Sequence, residues 1–191
     1  DMTRSRGLGD VYKRQAEIRS VTRIEIIGHC TAVPASVAPA DDSLLAHTLF
    51  ALKHEGINLT ILAQVLPSIA ESELAAAYDE SPTSQYLRKA CFLWEHFCGR
   101  ELARQQKSLR TNYVPLFDPE LYLTSTGVRN SRWRIVFNGL GSIDYCATVR
   151  KTPEINALLA KNLLQRAREF TESLPADILN RTLAWAYLDE T

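Results

Sequence analysis

The residues best suited to chemistry in this chain lie between Asn112 and Arg150, where arginines, aromatics and glycines crowd together. Phe137-Asn138-Gly139-Leu140-Gly141-Ser142 is a glycine-rich turn of the kind that can cradle phosphate. A phosphate loop needs its glycines between a strand and a helix, with a lysine or further glycine at defined spacing. Here the next helix start, Thr152, lies ten residues on and no Gly-Lys-Ser/Thr follows, so the turn reads as structural. Arg129, Arg132, Arg134, Arg150 and Lys151 interleave with Trp133, Phe137 and Tyr145. Guanidinium beside aromatic is what single-stranded nucleic acid binding uses, charge for phosphate and ring for base. It is equally what a scaffold uses to tie loops to carbonyls or carboxylates. Scaffold is the leading reading, a protein or intradomain contact the second, and nucleic acid a distant third. On a strand, Arg132 and Arg134 would share one face while Trp133 takes the other.

Other candidate constellations are incomplete. Cys91, His96 and Cys98 share one expected helix, but the two cysteines are seven residues apart. That is roughly 10 Å along a helix axis, beyond disulfide reach and beyond one zinc centre. They read as core thiols. His47 and His54 are also seven apart, with no carboxylate or cysteine at ligand spacing. Neither a His-Glu-x-x-His segment nor a nucleophile elbow occurs. Two short helices joined by Gly56-Ile57-Asn58 have the outline of a helix-turn-helix. The second offers no base-reading group beyond Gln64, so DNA reading is disfavoured.

Composition is that of a globular protein with material for a core: 46% hydrophobic and 23% charged residues among 191. No run approaches the length of a membrane span, and no charged segment followed by an apolar run opens the chain. Four sparse cysteines without a close pair favour reduced thiols in a cytoplasm. The zero net charge divides unevenly. Residues 1–15 hold 4 basic and 2 acidic residues (net +2), residues 16–99 hold 5 and 10 (net −5), residues 100–168 hold 12 and 5 (net +7), and residues 169–191 hold 1 and 5 (net −4). Compensation of the basic middle within the fold is the favoured account, ahead of an external acidic or phosphate-bearing partner.

The elements that must position these residues are mostly helical by pattern. Residues 1–15 are set aside, because Arg6 to Gln15 resembles translated sequencing-adapter sequence and shows no apolar period. Residues 16–42 read as a short strand or strand pair through Val21–Ile27, stopped at Gly28, then an extended linker from Thr31 to Pro39. Residues 43–111 form an N-terminal helical domain. Asp41-Asp42-Ser43 supplies the N-cap for a helix with Leu44, Leu45, Leu49 and Leu52, ended by Gly56, and Asn58 caps a second, stopped by Pro67. Ser72 to Asp79 is a third. Ser81-Pro82-Thr83-Ser84 opens a fourth, striped with Tyr86, Leu87, Ala90, Cys91, Leu93, Trp94, Phe97 and Cys98 and ended by Gly99. Residues 112–151 are an irregular, short-strand basic connector. Residues 152–191 begin with the strong start Thr152-Pro153-Glu154 and run as one helix to about Glu172. A last helix follows Ser173 and Pro175. The expected fold class is mostly α, in bundle-like layers.

Several patterned segments, in order, resemble the region upstream of the catalytic core in bacterial Fic-family (Fido-domain) proteins. They are Leu45-Ala-His-Thr-Leu-Phe-Ala-Leu-Lys-His-Glu55 with Ile57-Asn-Leu59, Pro82-Thr-Ser-x-Tyr86, and Phe92-Leu-Trp-Glu95 with Gly99. Asn112-Tyr-Val-Pro-Leu-Phe-Asp118 follows, then Arg132-Trp-Arg-Ile135, Asn138-Gly-Leu-Gly141 and Val149-Arg-Lys-Thr-Pro153. Members typically transfer AMP from ATP to a protein hydroxyl, so the resemblance implies ATP and Mg²⁺ as cofactors of a full-length parent. It also implies a protein target, or an intradomain contact to the Fic core, as partner. The core signature, His-x-Phe leading into Gly-Asn-Gly-Arg, is absent: Ile135 stands where the histidine belongs, and Leu140-Gly141 replaces the rest. The inhibitory Ser/Thr-x-x-x-Glu element of many relatives is expected beyond Thr191. No catalytic, cofactor-binding or metal residue therefore transfers to this chain. The resulting expectation is a non-catalytic N-terminal fragment of a Fic-type adenylyltransferase, cytoplasmic and without membrane contact. The alternative is a helical interaction or regulatory module without enzymatic activity.

Overall fold

The computed structural model describes residues 15–27, 30–39, 41–103 and 109–189. Gly28, the adapter-like run up to Arg14, and the last two residues lie outside that description. The chain divides into two compact units, Asp1–Thr148 and Val149–Thr191.

The first unit opens with a three-stranded sheet of β1 (Gln15–Arg19), β2 (Glu25–Ile27) and β3 (Cys30–Pro34), in the order β1-β3-β2. The central β3 runs parallel to β1 and antiparallel to β2. This corrects the expected linker at Thr31–Pro39, whose first part is the best-buried strand of the sheet. Ala32 and Val33 are fully buried, whereas Ile24, Ile26 and Ile27 stay about half exposed. The small residues Thr31-Ala32-Val33 fit a covered central position that the larger isoleucines do not occupy.

Four helices follow, and local signals set their ends. For α1 (Leu44–His54), the Ser43 hydroxyl accepts from the Ala46 amide at 3.1 Å. For α2 (Leu59–Val65), Asn58 accepts from Ile61 at 3.2 Å, and Pro67 sits in the 3₁₀ turn that ends it. Next come α3 (Glu71–Glu80) and α4 (Gln85–Cys98). Gly99 closes α4 in the left-handed region at φ +64°, where a side chain would be strained. Around α4 pack the other three helices: Leu87, Ala90, Cys91, Leu93 and Trp94 are buried, and Trp94 Nε1 donates to the Ile69 carbonyl at 3.3 Å.

The expected mostly-α bundle is overturned. Helix takes up 48% and strand 16% of the described residues, a mixed α/β protein with three small sheets. The stretch read as an irregular, short-strand connector contains β4 (Val114–Pro115), β5 (Val128–Asn130) and β6 (Ile135–Phe137), paired in the order β4-β6-β5. A hairpin of β7 (Leu140–Gly141) and β8 (Cys146–Ala147) follows. Strands of two or three residues are too short to show a period of two, so alternation could not reveal them. Ile135 is fully buried in the same core as Trp94, and β6 packs on α4.

In the second unit, the expected single helix from Pro153 to Glu172 is two: α5 (Pro153–Ala160) and α6 (Leu163–Ser173). Asn162 separates them at φ +47°, a conformation asparagine tolerates because its short polar side chain bonds locally. The last helix is α7 (Ala176–Asp189). Leu158, Leu164, Phe170 and Trp185 are between 49% and 78% exposed, so this unit buries none of them well within itself.

Candidate functional site

The polar groups converge where α4 meets the second sheet. Arg88 and Lys89 sit on the helix face that carries the apolar stripe, and both are buried. Arg88 Nη1 donates to the carbonyls of Asn112, Trp133 and Arg134 at 3.2–3.3 Å. Lys89 Nζ donates to the Leu116 carbonyl at 3.0 Å. Burial pushes both groups below their ordinary pKa values, and the nearby Asp118 opposes this for Lys89. Two adjacent cations on one helix thus hold, by their backbone carbonyls, the residues that flank β4 and lead into β6. Sequence reading passed over both, because the stripe was read from its apolar members. A charged pair inside a buried heptad was the available signal.

One helical turn or more further on, Glu95 gathers a second set of bonds. Its carboxylate accepts from Arg132 Nε at 2.8 Å, Trp133 Nε1 at 2.6 Å and the Leu102 amide at 2.8 Å. Arg132 Nη2 returns to the Leu102 carbonyl at 2.8 Å, and Nη1 lies 3.4 Å from Glu101. Trp133 is fully buried, edge-on to Tyr78 with ring centroids 5.0 Å apart. These charge-assisted bonds are the strong kind and leave Glu95 committed.

The strand expected to carry Arg132 and Arg134 is instead a turn. Asn130 pairs with Ile135, so residues 131–134 form the loop between β5 and β6. Asn130 Oδ1 accepts from the Trp133 amide at 2.9 Å, and Arg134 closes the loop at φ +53°. The turn aims Trp133 inward and sends Arg132 to Glu95, which strand alternation would not do. Arg134 takes a third direction. Its guanidinium lies 5.0 Å from the Tyr113 ring, that of Arg129 lies 5.2 Å from the same ring, and Arg134 Nε donates to Leu109 O at 3.2 Å.

The glycine-rich turn is occupied by structure. Asn138 is buried, and its side-chain amide bonds both the N–H and the C=O of Phe117, at 2.9 and 2.8 Å. A Cβ on Gly139 would meet Cys146 Sγ at 2.6 Å and the Phe137 ring at 2.9 Å, so glycine is required by packing. Neither a lysine nor a helix start accompanies it within residues 137–142.

The remaining candidates scatter. Cys91 is in the core and Cys98 is half-buried. Burial raises the pKa of the Cys98 and Cys146 thiols, which disfavours thiolate chemistry. His96 leaves Cys91 and Cys98 and meets Asp144 of the β7–β8 hairpin at 2.8 Å. His47 lies 3.6 Å from Asp42, while the His54 ring lies tilted against Phe50 with centroids 4.7 Å apart, its buried Nε2 without a hydrogen-bond partner among the described residues. Among the described residues no cluster of three or more His, Cys, Asp or Glu side chains could hold a metal ion. An open depression of about 310 Å³ on α7 is lined by Ile178, Arg181, Thr182 and Trp185. It lacks the convergent polar groups of a ligand site. Among the described residues no helix is long and apolar enough to cross a membrane. No family model matches the chain, and neither a curated protein nor a solved structure matches it.

Proposed function

We propose that this chain is the non-catalytic scaffold of a Fic-type protein adenylyltransferase, the region that precedes the AMP-transferring core. The supporting observation is convergence. The segments that carry the resemblance are far apart in sequence, yet those from Leu45 to Gly141 meet around α4. Leu45–Glu55 packs on it, Pro82–Tyr86 opens it, and Phe92–Glu95 lies in it. Asn112–Asp118 is held by Arg88 and Lys89, Arg132–Ile135 by Glu95 and Arg88, and Asn138 by Phe117. A set of residues gathered from distant segments into one packed junction is what a scaffold requires. ATP and Mg²⁺ belong to the parent's core in this reading, and cytoplasmic residence goes with them.

The test has two arms. Sequencing the locus beyond the codon for Thr191 is expected to reveal His-x-Phe followed by Gly-Asn-Gly-Arg in frame, and a reading frame without that motif overturns the proposal. The isolated chain, incubated with ATP labelled at the α-phosphate and Mg²⁺, is expected to label no protein. An AMP-modified product would contradict a non-catalytic role. A second reading, an interaction module without enzymatic activity, is favoured by the two guanidiniums gathered on Tyr113.

A further inference from the structure

The sheet β4-β6-β5 has two different faces. Val114, Ile135 and Phe137 turn toward the core. Strand alternation places Arg129 and its cross-strand partner Val136 on the opposite face. Tyr113, one residue before Val114, is on that outer face too, and Arg129 and Arg134 stack against its ring at 5.2 and 5.0 Å. Arg129 is exposed, on an edge strand. Among the described residues, neither Arg129 nor Arg134 has a carboxylate within ion-pair distance. Exposed Arg110 lies three residues before Tyr113. The contrast with Arg132, Arg88 and Lys89 is sharp, since those cations are committed to the interior.

We propose that this outer face docks an acidic peptide segment of a partner protein. Three arguments favour that partner. A guanidinium held over an aromatic ring is pre-organised, so less side-chain freedom is lost when its N–H edge meets a carboxylate. Both neighbouring guanidiniums already use the Tyr113 ring, which is therefore a poor platform for a nucleic acid base. The patch is also compact, a few charges across one small sheet, whereas a nucleic acid groove tracks many phosphates. Carboxylates in an extended acidic peptide match that chemistry. The inference rests on this face alone and is independent of the adenylyltransferase reading.

The test uses the full chain and a fluorescein-labelled oligoglutamate peptide, read by anisotropy at low salt, with oligothymidylate as the competing probe. Oligoglutamate is expected to bind in preference. Arg129→Gln should weaken it by about tenfold, the loss of one charge-assisted contact. Arg23→Gln removes the same charge from an exposed site near β2 and should leave binding unchanged. Tyr113→Leu keeps both charges and frees their geometry, so a weakening there supports pre-organisation. Since Arg129 is exposed, thermal unfolding should be unaltered in Arg129→Gln, which separates lost docking from lost fold. Equal weakening by Arg23→Gln would reduce the effect to net charge and overturn the proposal. So would tighter, Arg129-dependent binding of oligothymidylate, which would assign the face to nucleic acid, or no binding of oligoglutamate at low salt. The downstream motif could be present or absent under any of these outcomes.

Discussion

Single residues at the α4 junction do different work from what their charges suggest. Glu95 is the acceptor for Arg132, Trp133 and Leu102 together, with its side chain 13% and that of Arg132 21% exposed. Glu95→Gln replaces a charged acceptor by an amide whose NH₂ opposes one donor, so a loss of about 2–3 kcal/mol is expected from breaking a largely buried pair. Urea denaturation should show a lower midpoint with an unchanged slope. His54 gives a pH effect. Burial, with Lys53 adding to it, lowers its pKa, and Glu55 opposes them. In that case the unfolded chain takes up the proton first as pH falls, so stability is lost between the ordinary histidine value, about 6.5, and the lower folded one. Above that window the group is neutral in both states and costs nothing. His54→Phe should flatten the acid side of a Tm-against-pH curve across this window. An unchanged slope would mean that His54 titrates as freely folded as unfolded.

At the scale of elements, short segments are held by specific fits. Gly139→Ala would put a methyl group against Cys146 Sγ and the Phe137 ring, and should cost about 1–3 kcal/mol through overpacking. Adding Cys146→Ala should return part of that loss, and a simple sum of the two single effects would show that the contact does not carry it. Gly99 is the opposite case. A Cβ there meets nothing within 4 Å, so only the left-handed backbone opposes a side chain. Gly99→Ala should cost about 1 kcal/mol, with no partner substitution able to restore it. Thermal unfolding of the single and double variants separates the two mechanisms. The caps Asn58 and Thr152, and the helix starts at 41–43 and 81–84, were readable because a cap is decided within a few residues, while the structure picks Ser43 and Ser84 out of those groups. The break at Asn162 was not, since asparagine is compatible with both a helix interior and a left-handed stop.

For the whole molecule, the two units differ in how they use apolar residues. In the first, Trp94, Trp133, Leu66, Leu93 and Ile135 are fully buried. In the second, Leu158, Leu164, Phe170 and Trp185 remain largely exposed. Replacing Phe170 and Trp185 by Ser should therefore lower binding of a hydrophobic dye, and undiminished dye binding would show that these side chains are covered in solution. The apolar pattern of α5 to α7 was plain in the sequence, but a pattern states that a face is apolar and not that it is covered.

The sequence by itself determined where the four helices of the first unit begin and end, to within a residue or two. That depends on local chemistry: caps, stop residues and helical spacing. Only the tertiary structure decided that Thr31–Pro34 is a central strand, that 114–147 forms small sheets, and that the basic middle divides. Arg132 turns in to Glu95, and Arg129 stays out with Tyr113. Pairing partners and burial are set by residues tens of positions away, so identical arginines a few residues apart acquire opposite roles from the fold that surrounds them.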